Sequence, residues 1–441
     1  MTRACSLLGQ KIMTSAANRS TLNRFIAASG LSNLGDGVAV VVWAWIGTLL
    51  TRDPLLVAMI PVALRLPWAI FAIPAGIITD RVSRRSLILG ADVLRAAAFA
   101  VAALAISRAA PLAPPPETGV ADALLFAILA GCALMIGAAE VFRDNAAQTV
   151  VPSIVPAADL EMANGRLWSA ELTANSLAGP ALGAFLIAEA LAVPFVFNML
   201  AYACAVMLLS RIPLASRGAQ YANRNWKREF REGLGFLLRA PMLRMLALLT
   251  GLWNMCHQMM MIALVLHMQE NLGTGARAYG AVLAAAAVGG IAGGLAGGRL
   301  AMRFGRGRTA QWALLLGSAS FLFVPLMPGP VSLALLLAGF GLFGVTWDSV
   351  SAAFRQRMVP DEILGRVTSL YRLTSWGMMP VGLALSGWIV KLAEPSLGRP
   401  LALQLPFVIA GIIAVALSGL AWRAVGRGFT EQQAAATSAE A

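Results

Sequence analysis

The chain has 441 residues, of which 59% are hydrophobic and only 12% are charged, and its mean hydropathy is +0.74. A soluble protein of that composition could not cover its surface with polar groups, so the composition predicts an integral membrane protein. The apolar runs continue for about 20 residues instead of alternating with polar residues, which predicts membrane-spanning helices and excludes a β-barrel. The net charge of +13 would suit nucleic acid only if the basic residues clustered on one domain.

Twelve apolar runs fall into two sets of six. We therefore predict an all-α integral membrane protein with twelve transmembrane helices in two pseudo-symmetric halves. The predicted spans cover residues 24–50, 55–79, 86–107, 121–142, 166–188, 193–212, 242–268, 278–302, 310–327, 331–354, 366–393 and 403–424. The predicted parts are a tail (1–21), an N-terminal half (22–212), a central loop with an amphipathic helix (213–241), a C-terminal half (242–424) and a second tail (425–441).

The basic residues lie mostly on one side of the predicted membrane. Of the 34 Lys and Arg residues, 26 fall in the tails and loops on the N-terminal side, and 5 fall on the opposite side. Because cytoplasmic loops carry the excess of basic residues, we expect both termini in the cytoplasm and the protein in the cell (inner) membrane. Charges spread in this way meet the headgroups of the lipid bilayer, which argues against a nucleic-acid partner.

A short charged loop separates spans 2 and 3. It contains Gly76, Asp80, Arg81, Arg84 and Arg85, and it is too short to cross a bilayer. The chain must therefore re-enter the membrane on the same side, while the glycine allows two helices to approach closely. A related pattern recurs 222 positions later, from residue 298, between spans 8 and 9. Such paired patterns are typical of transporters built from internal repeats.

The pattern G-x-x-x-D-R-x-x-R-R at residues 76–85 resembles the signature loop of the major facilitator superfamily of secondary transporters. Within it, the chain is similar to the bacterial branch of siderophore exporters and macrolide-type efflux proteins, at residues 32–37, 91–96, 151–156 and 231–237. The resemblance spans residues 22–424 and implies the major facilitator fold and a small-molecule substrate. Residues 179–184 resemble the end of the antiporter signature of span 5, although Asn175 stands where the family has a glycine.

The sequence contains no motif for ATP hydrolysis or for hydrolytic chemistry. None of its three lysines follows a glycine, so a phosphate-binding GxxxxGK[ST] loop is absent. His257 and His267 are its only histidines, its four cysteines are scattered, and no serine lies in a GxSxG motif. We therefore predict a protein that is not an enzyme and that needs neither a metal nor a cofactor.

The loop between spans 2 and 3 is predicted to act as a conformational latch. Asp80 lies at the inner end of span 2, where its carboxylate can face the positive N-terminal end of another helix. Span 11 starts on the same face, and the resemblance implies that the two halves meet there when the outside is open. Arg81 or Arg84 could also pair with an acid at the same end of span 4. The alternative is that these arginines are ordinary membrane anchors. The predicted latch comprises Gly76, Asp80, Arg81, Arg84, Arg85, Glu140 and Asp144.

Ionisable residues inside membrane spans are the candidates for proton coupling. Asp36 and Arg65 lie at similar depth in spans 1 and 2, so they could form a pair that breaks on proton uptake. The alternative is a permanent structural salt bridge. Glu171 in span 5 is a further coupling candidate, with a satisfied structural acid as its alternative. Asp92 and Arg95, one helical turn apart in span 3, are expected to support the loop between spans 2 and 3.

A polar stripe on span 7, with Trp253 beside it, is predicted to line a central substrate cavity between spans 1, 5, 7 and 11. The stripe comprises Asn254, His257, Gln258 and Met261. Facing the bundle, the same side chains would instead supply interhelical hydrogen bonds and packing. Arg372, one turn from Trp376 on span 11, could hold an anionic group of the substrate or pair with Asp348. Asn33 and Asn175 add polar groups from spans 1 and 5.

These features predict a monomeric, proton-coupled exporter of an amphiphilic small molecule of the drug, macrolide or siderophore type, working by alternating access. One alternative is a lysophospholipid flippase, which would need a lateral opening toward the lipid and no strict dependence on protons. A second alternative, from another class, is a transport-inactive membrane sensor or scaffold. The sequence contains no sizeable soluble domain to support that second alternative.

Overall fold

The computed structural model describes residues 2–147, 150–155, 160–212, 226–359 and 361–440. Within these ranges, side chains are described except at 2–18, 73, 77, 80, 81, 152, 153, 160, 161, 226–230, 356, 357, 361–366, 368, 369 and 432–440. The described chain is almost entirely helical and contains no strand. This is the outcome that a bilayer requires, because a helix satisfies its own backbone hydrogen bonds inside the lipid.

Twelve long helices account for the predicted spans. The first six are α1 (Thr2–Leu50), α2 (Pro54–Arg81), α3 (Arg84–Ala109), α4 (Ala123–Ala147), α5 (Leu160–Leu172, Thr173–Ala178 and Gly179–Glu189) and α6 (Val193–Ser210). The other six are α7 (Pro241–Leu266 and His267–Asn271), α8 (Ala276–Phe304), α9 (Arg306–Phe323 and Val324–Leu326), α10 (Pro330–Met358), α11 (Asp361–Gly377 and Met379–Leu397) and α12 (Leu405–Glu440). Short helices at Val151–Ile154, Trp226–Arg239 and Arg399–Ala402 connect them.

Helix α5 is interrupted at mid-length by a π-helical turn, Thr173–Ala178. Eleven of the described helices are long and apolar enough to cross a bilayer. Helix α5 supplies the twelfth crossing in parts, because each of its straight segments is too short to cross alone. π-Helical turns of this kind occur often at functional sites.

The two halves repeat one packing scheme. In the N-terminal half, α1 packs on α5 and α6, α2 packs on α4, and α3 packs on both α4 and α6. In the C-terminal half, the corresponding pairs form six helices later: α7 packs on α11 and α12, α8 on α10, and α9 on both α10 and α12. The all-α, twelve-helix arrangement in two pseudo-symmetric halves is therefore confirmed.

The halves meet along two equivalent seams, α2 against α11 and α5 against α8. A glycine permits close approach at each seam. A Cβ atom at Gly387 of α11 would lie 2.6 Å from the carbonyl oxygen of Pro54, and one at Gly280 of α8 would lie 3.0 Å from that of Pro180. Both contacts lie toward the face that carries the α1–α2 and α11–α12 connections. We call it the opposite face, and the face with the α2–α3 and α8–α9 connections the basic face.

The helix Trp226–Arg239 lies on the basic face, beneath the C-terminal half. It packs on the start of α7 and on α11, and its Leu237 is buried in the apolar cluster at that end of the half. Arg231, Glu232 and Arg239 on the same helix are exposed. This division of apolar and charged side chains is typical of a helix at the membrane interface. Residues 213–225 of the predicted central loop lie outside the described residues.

Candidate functional site

A buried ionic network lies inside the N-terminal half, where α1, α3 and α6 meet. A Cβ atom at Gly35 of α1 would lie 3.1 Å from the ring of Tyr202 of α6, so the two helices are close at this level. On the next residue of α1, the Asp36 carboxylate accepts a hydrogen bond from the Arg95 guanidinium of α3. The Tyr202 hydroxyl lies 2.8 Å from the Asp36 carboxylate and 2.8 Å from Arg95 Nη2. The same guanidinium lies over the Tyr202 ring, 4.2 Å from its centre.

The network continues toward the basic face through Asp92 and Arg143. Asp92 Oδ1 lies 3.6 Å from Arg95 Nη1 and 3.5 Å from Arg143 Nε, and it accepts a hydrogen bond from Ser32 at 3.5 Å. Arg143 Nη1 lies 3.4 Å from the carboxylate of Asp144. Asp92, Arg95 and Arg143 are all fully buried, whereas the Asp36 side chain is 15% exposed. Asp36 and Asp144, whose side chain is 30% exposed, are therefore the two members of this chain of charges that a proton can reach.

The network carries one more negative charge than positive. In direct contact are three carboxylates and two guanidiniums: Asp36, Asp92, Asp144, Arg95 and Arg143. Among the described groups, Asp92 Oδ2 has no hydrogen-bond donor. An uncompensated charge in a low-dielectric interior is costly, and a bound proton would remove it.

The predicted pair between Asp36 and Arg65 is wrong. Arg65 instead lies 3.2 Å from Glu140 of α4. A Cβ atom at Gly137 would lie 3.3 Å from Leu64 Cα, so α2 and α4 cross next to Arg65, and its guanidinium reaches an acid one turn along α4. The described contacts of Asp92 and Arg95, which were expected to support the α2–α3 loop, are with Asp36 and the other members of the buried network.

The latch stays a prediction, because the side chains of Asp80 and Arg81 lie outside the described residues. Gly76 lies on α2 with no atom within 4 Å of a Cβ built on it, so no close helix contact occurs there. Arg84 begins α3, and Arg85 donates a hydrogen bond to the carbonyl oxygen of Ser210 at 2.5 Å, tying the start of α3 to the end of α6. The described partners of the predicted acids are Arg65 for Glu140 and Arg143 for Asp144.

An aromatic cluster closes the α2–α11 seam at mid-depth. The rings of Trp68 and Trp376 meet edge to face, with centres 4.3 Å apart. Phe71 of α2 lies 5.9 Å from Phe142 of α4 in the same cluster. The Arg372 guanidinium lies 5.1 Å from the centre of the Trp376 ring, as the one-turn spacing predicts. Trp68 and the two phenylalanines were not predicted from the sequence, although Trp68 and Phe71 follow Arg65 at successive spacings of three.

Charges from the two halves lie close enough near this seam to interact electrostatically. Arg372 of α11 lies within electrostatic range of Asp144 of α4, and thus of the end of the buried network. The predicted alternative partner of Arg372, Asp348, instead interacts with Arg355. Glu171 of α5 lies within range of both Arg143 and Asp144.

The side chains of the polar stripe on α7 lie in different environments. Trp253 stacks on Phe340 of α10 with ring centres 5.7 Å apart, and His257 lies 5.3 Å from the same ring. These two side chains therefore pack inside the C-terminal half, in the arrangement given above as the alternative to a cavity. Asn254 donates a hydrogen bond to the carbonyl oxygen of Ser375 at 3.0 Å, which joins α7 to α11.

The remaining predicted substrate residues are half-buried. Gln258 and Met261 lie further along α7, and Met261 packs against the large apolar core of the C-terminal half. Asn33 donates a hydrogen bond to the carbonyl oxygen of Ser29 in its own helix at 3.0 Å. Asn175 lies in the π-helical turn of α5, and its backbone contacts Gly37 of α1.

Four polar contacts between described residues join the two halves at the opposite face. Lys391 Nζ lies 2.6 Å from Asp53 Oδ2, and Gln269 donates a hydrogen bond to Thr48 at 2.9 Å. The other two are a hydrogen bond from Arg399 to the Arg52 carbonyl oxygen at 2.8 Å and the pair Arg277–Glu189 at 3.0 Å. The halves are therefore held together at this face.

The twelve-helix fold, its two seams and its charges inside the membrane define a multi-pass membrane transporter of the major facilitator class. The chain belongs to the MFS_3 family, described as "Transmembrane secretion effector", whose family model matches residues 15–427. The protein named "Multidrug efflux pump Tap" from Mycolicibacterium fortuitum is 24% identical over 421 residues, covering 91% of this chain and 97% of that protein. Its namesake from Mycobacterium tuberculosis (strain ATCC 25618 / H37Rv) is 25% identical over 419 residues, covering 92% and 95%.

Solved structures share the fold at low identity. A point mutant of the nucleoside transporter NupG is similar with a TM-score of 0.71 at 13% identity, covering 92% of this chain and 99% of that one. A bacterial homologue of the lysosomal transporter Spinster, in an inward-facing and unoccupied conformation, gives a TM-score of 0.70 at 15% identity, covering 94% and 98%. The predicted superfamily is thus confirmed, and the chain is a transporter in an efflux family.

Proposed function

We propose that this protein exports amphiphilic small molecules in exchange for protons, by alternating access between its two halves. The observation that carries the proposal is the buried network in which Asp36 joins Arg95 and Tyr202 at one partly accessible end. The matched relatives are named multidrug efflux pumps, which supports export of a drug-like compound. We further propose that the protein acts as a monomer and that its basic face is cytoplasmic.

Proton binding at Asp36 would change the contacts of α1. With the carboxylate ionised, Asp36 attracts Arg95 and accepts from Tyr202. A proton on Asp36 cancels the attraction to Arg95, while Asp92 still holds that guanidinium from the other side. The charged contact between Asp36 of α1 and α3 is then lost, although α1 keeps its Ser32 hydrogen bonds with Asp92 and Arg95 and its contacts with α5. A change confined to one helix contact is the kind of local event that biases a two-state equilibrium.

The contacts between the halves indicate where the substrate would bind. The polar contacts of the opposite face join the halves there, so access to the centre is favoured from the basic face. A compound arriving from that side would meet the aromatic cluster of Trp68 and Trp376, with Arg372 and the pair Arg65–Glu140 beside it. Aromatic faces beside half-buried charges suit an amphiphilic molecule, because rings bind its apolar part and charges orient the rest.

The experiment is transport into proteoliposomes with an imposed pH gradient. The purified protein should drive uptake of a lipophilic cationic dye such as ethidium, and an ionophore that collapses the gradient should abolish that uptake. Asp36→Asn should lose gradient-driven transport, because the amide cannot take up the proton. Asp122→Asn is the matched control: Asp122 is an exposed acid that caps α4 by accepting from the Leu125 N–H at 2.9 Å, and an asparagine keeps that acceptor.

Two results would contradict the proposal. Dye transport that survives collapse of the pH gradient would exclude proton coupling. Translocation of a lysophospholipid without a gradient, in a preparation that does not move the dye, would favour the flippase alternative instead.

A further inference from the structure

An apolar groove lies on the outside of the α2–α11 seam. Its volume is about 400 Å³, within the range of roughly 300–1,000 Å³ for ligand-binding clefts. Leu55 of α2 forms one wall, and Pro380, Val381, Ala384, Leu385 and Trp388 of α11 form the other. Val381 and Trp388 are exposed, so the groove opens toward the lipid. It lies in the half of the membrane next to the opposite face, because Leu55 is at the start of α2.

A cation lies directly above this groove. Lys391 is one turn beyond Trp388 on α11, and its partner Asp53 is two residues before Leu55 on α2. Both walls of the groove therefore lead to the same ion pair. The Lys391 side chain is 50% exposed, whereas that of Asp53 is 6% exposed and also caps α2 by accepting from the Leu55 N–H at 3.0 Å. The group presented to the membrane surface is thus the ammonium.

The ammonium can take another partner. A lysine has three N–H donors, and the described contact uses one of them, toward Asp53 Oδ2. Trp388, whose side chain is 53% exposed, stands between the apolar groove and the charge, at the level where tryptophans anchor proteins to lipid headgroups. From the membrane surface inward, the order is a cation, an indole and an apolar cleft.

We propose that this groove binds an anionic phospholipid, with an acyl chain along Ala384 and Leu385 and its phosphate at Lys391. The site and the lipid have the same arrangement, with the charged group at the membrane surface and the apolar part below it. Under the proposed orientation, the lipid comes from the outer leaflet. The site is distinct from the central path of the exported compound, because the groove opens toward the lipid and not toward the centre between the halves.

The bound lipid favours one state of the transporter. One wall of the groove belongs to each half, so the groove exists only while α2 and α11 are in contact at the opposite face. A ligand that binds only one conformation shifts the population toward it. An anionic lipid therefore stabilises the state that is closed at the opposite face.

Native mass spectrometry of the delipidated full chain tests the site, with phosphatidylglycerol and phosphatidylcholine of identical acyl chains as probes. The wild type should bind one phosphatidylglycerol more tightly than phosphatidylcholine. Lys391→Ala should weaken phosphatidylglycerol binding about fivefold, as expected for loss of one basic charge near an anionic headgroup, and weaken phosphatidylcholine binding less, because the choline cation offsets the charge of its phosphate. Ala384→Trp should fill the groove and remove the tight binding of both lipids.

Matched controls lie on α3, in the same half of the membrane. Leu104 and Arg108 are exposed one turn apart near the end of that helix. Leu104→Trp and Arg108→Ala should leave both affinities unchanged. The proposal would be overturned if Lys391→Ala and Arg108→Ala preferred phosphatidylglycerol over phosphatidylcholine to the same extent. It would also be overturned if Ala384→Trp still bound these lipids tightly. Should Ala384→Trp not fold, the loss of headgroup preference in Lys391→Ala alone decides.

Discussion

Arg95 is the residue on which the buried network depends. It is fully buried and contacts Asp36, Asp92 and Tyr202 at once. A guanidinium suits this position because its fork presents several donors in a fixed plane. Lysine could compensate the charge but could not reach all three partners.

Removing Arg95 should destabilise the protein strongly. Arg95→Ala leaves the carboxylates of Asp36 and Asp92 without their guanidinium, and breaking a buried ion pair costs about 3–5 kcal/mol. The measurement is the unfolding temperature of the purified protein in detergent. Arg108→Ala, an exposed arginine on the same helix, should leave that temperature unchanged. A similar, small shift for both variants would show that the network does not hold the N-terminal half together.

At the scale of elements, α1 and α5 cross in close contact beside the network. Gly37 of α1 lies against the π-helical turn of α5, and a Cβ atom there would be 2.9 Å from Gly179 Cα. The contact is backbone to backbone, so no side chain can move aside. It joins the helix that carries Asp36 to the helix that carries Glu171.

Gly37→Ala should therefore destabilise the protein by about 1–3 kcal/mol, the usual cost of forcing a methyl group into a packed contact. Gly30→Ala, two turns earlier on the same helix, has no atom within 4 Å and should stabilise by up to about 1 kcal/mol, because alanine favours the helix. Chemical unfolding in detergent compares the two. Equal effects of the same sign would show that α1 and α5 are not in close contact.

The helices were predictable from the sequence, but the partners of the buried charges were not. A run of about 20 apolar residues is enough to predict a membrane-spanning helix, so the spans and their repeat could be predicted from the sequence. Depth alone favoured Arg65 as the partner of Asp36, whereas Arg95 was expected to support the loop between spans 2 and 3. Choosing between them requires the knowledge that Asp36 faces α3 and α6, which no local pattern contains. The π-helical turn of α5 escaped prediction for a similar reason, since its backbone geometry leaves no mark on hydropathy.

At the scale of the whole molecule, Asp53 joins the two halves at the opposite face. Its carboxylate both pairs with Lys391 and caps α2. The two roles can be separated, because Asp53→Asn keeps an acceptor for the cap and removes the charge, whereas Asp53→Ala removes both.

Asp53→Asn should shift the transporter toward opening at the opposite face without weakening its fold. The measurement is the distance between spin labels at Leu124→Cys on α4 and Val331→Cys on α10, both exposed near that face, after replacement of the native cysteines. A longer-distance population should grow in Asp53→Asn, and Asp53→Ala should in addition lower the unfolding temperature. An unchanged distance distribution in both variants would show that the ion pair does not hold the face closed.

The unequal count of charges in the buried network makes that network sensitive to the membrane potential. With three carboxylates against two guanidiniums, the network bears one net negative charge when empty and none when it holds a proton. A unit charge that traverses the whole field gains or loses about 2.3 kcal/mol per 100 mV. The membrane potential therefore acts on the network without its proton and has little effect on the network that holds one. Under the proposed coupling, a potential imposed across proteoliposomes at equal pH should change the rate of the empty return step, and Asp36→Asn should abolish that voltage dependence.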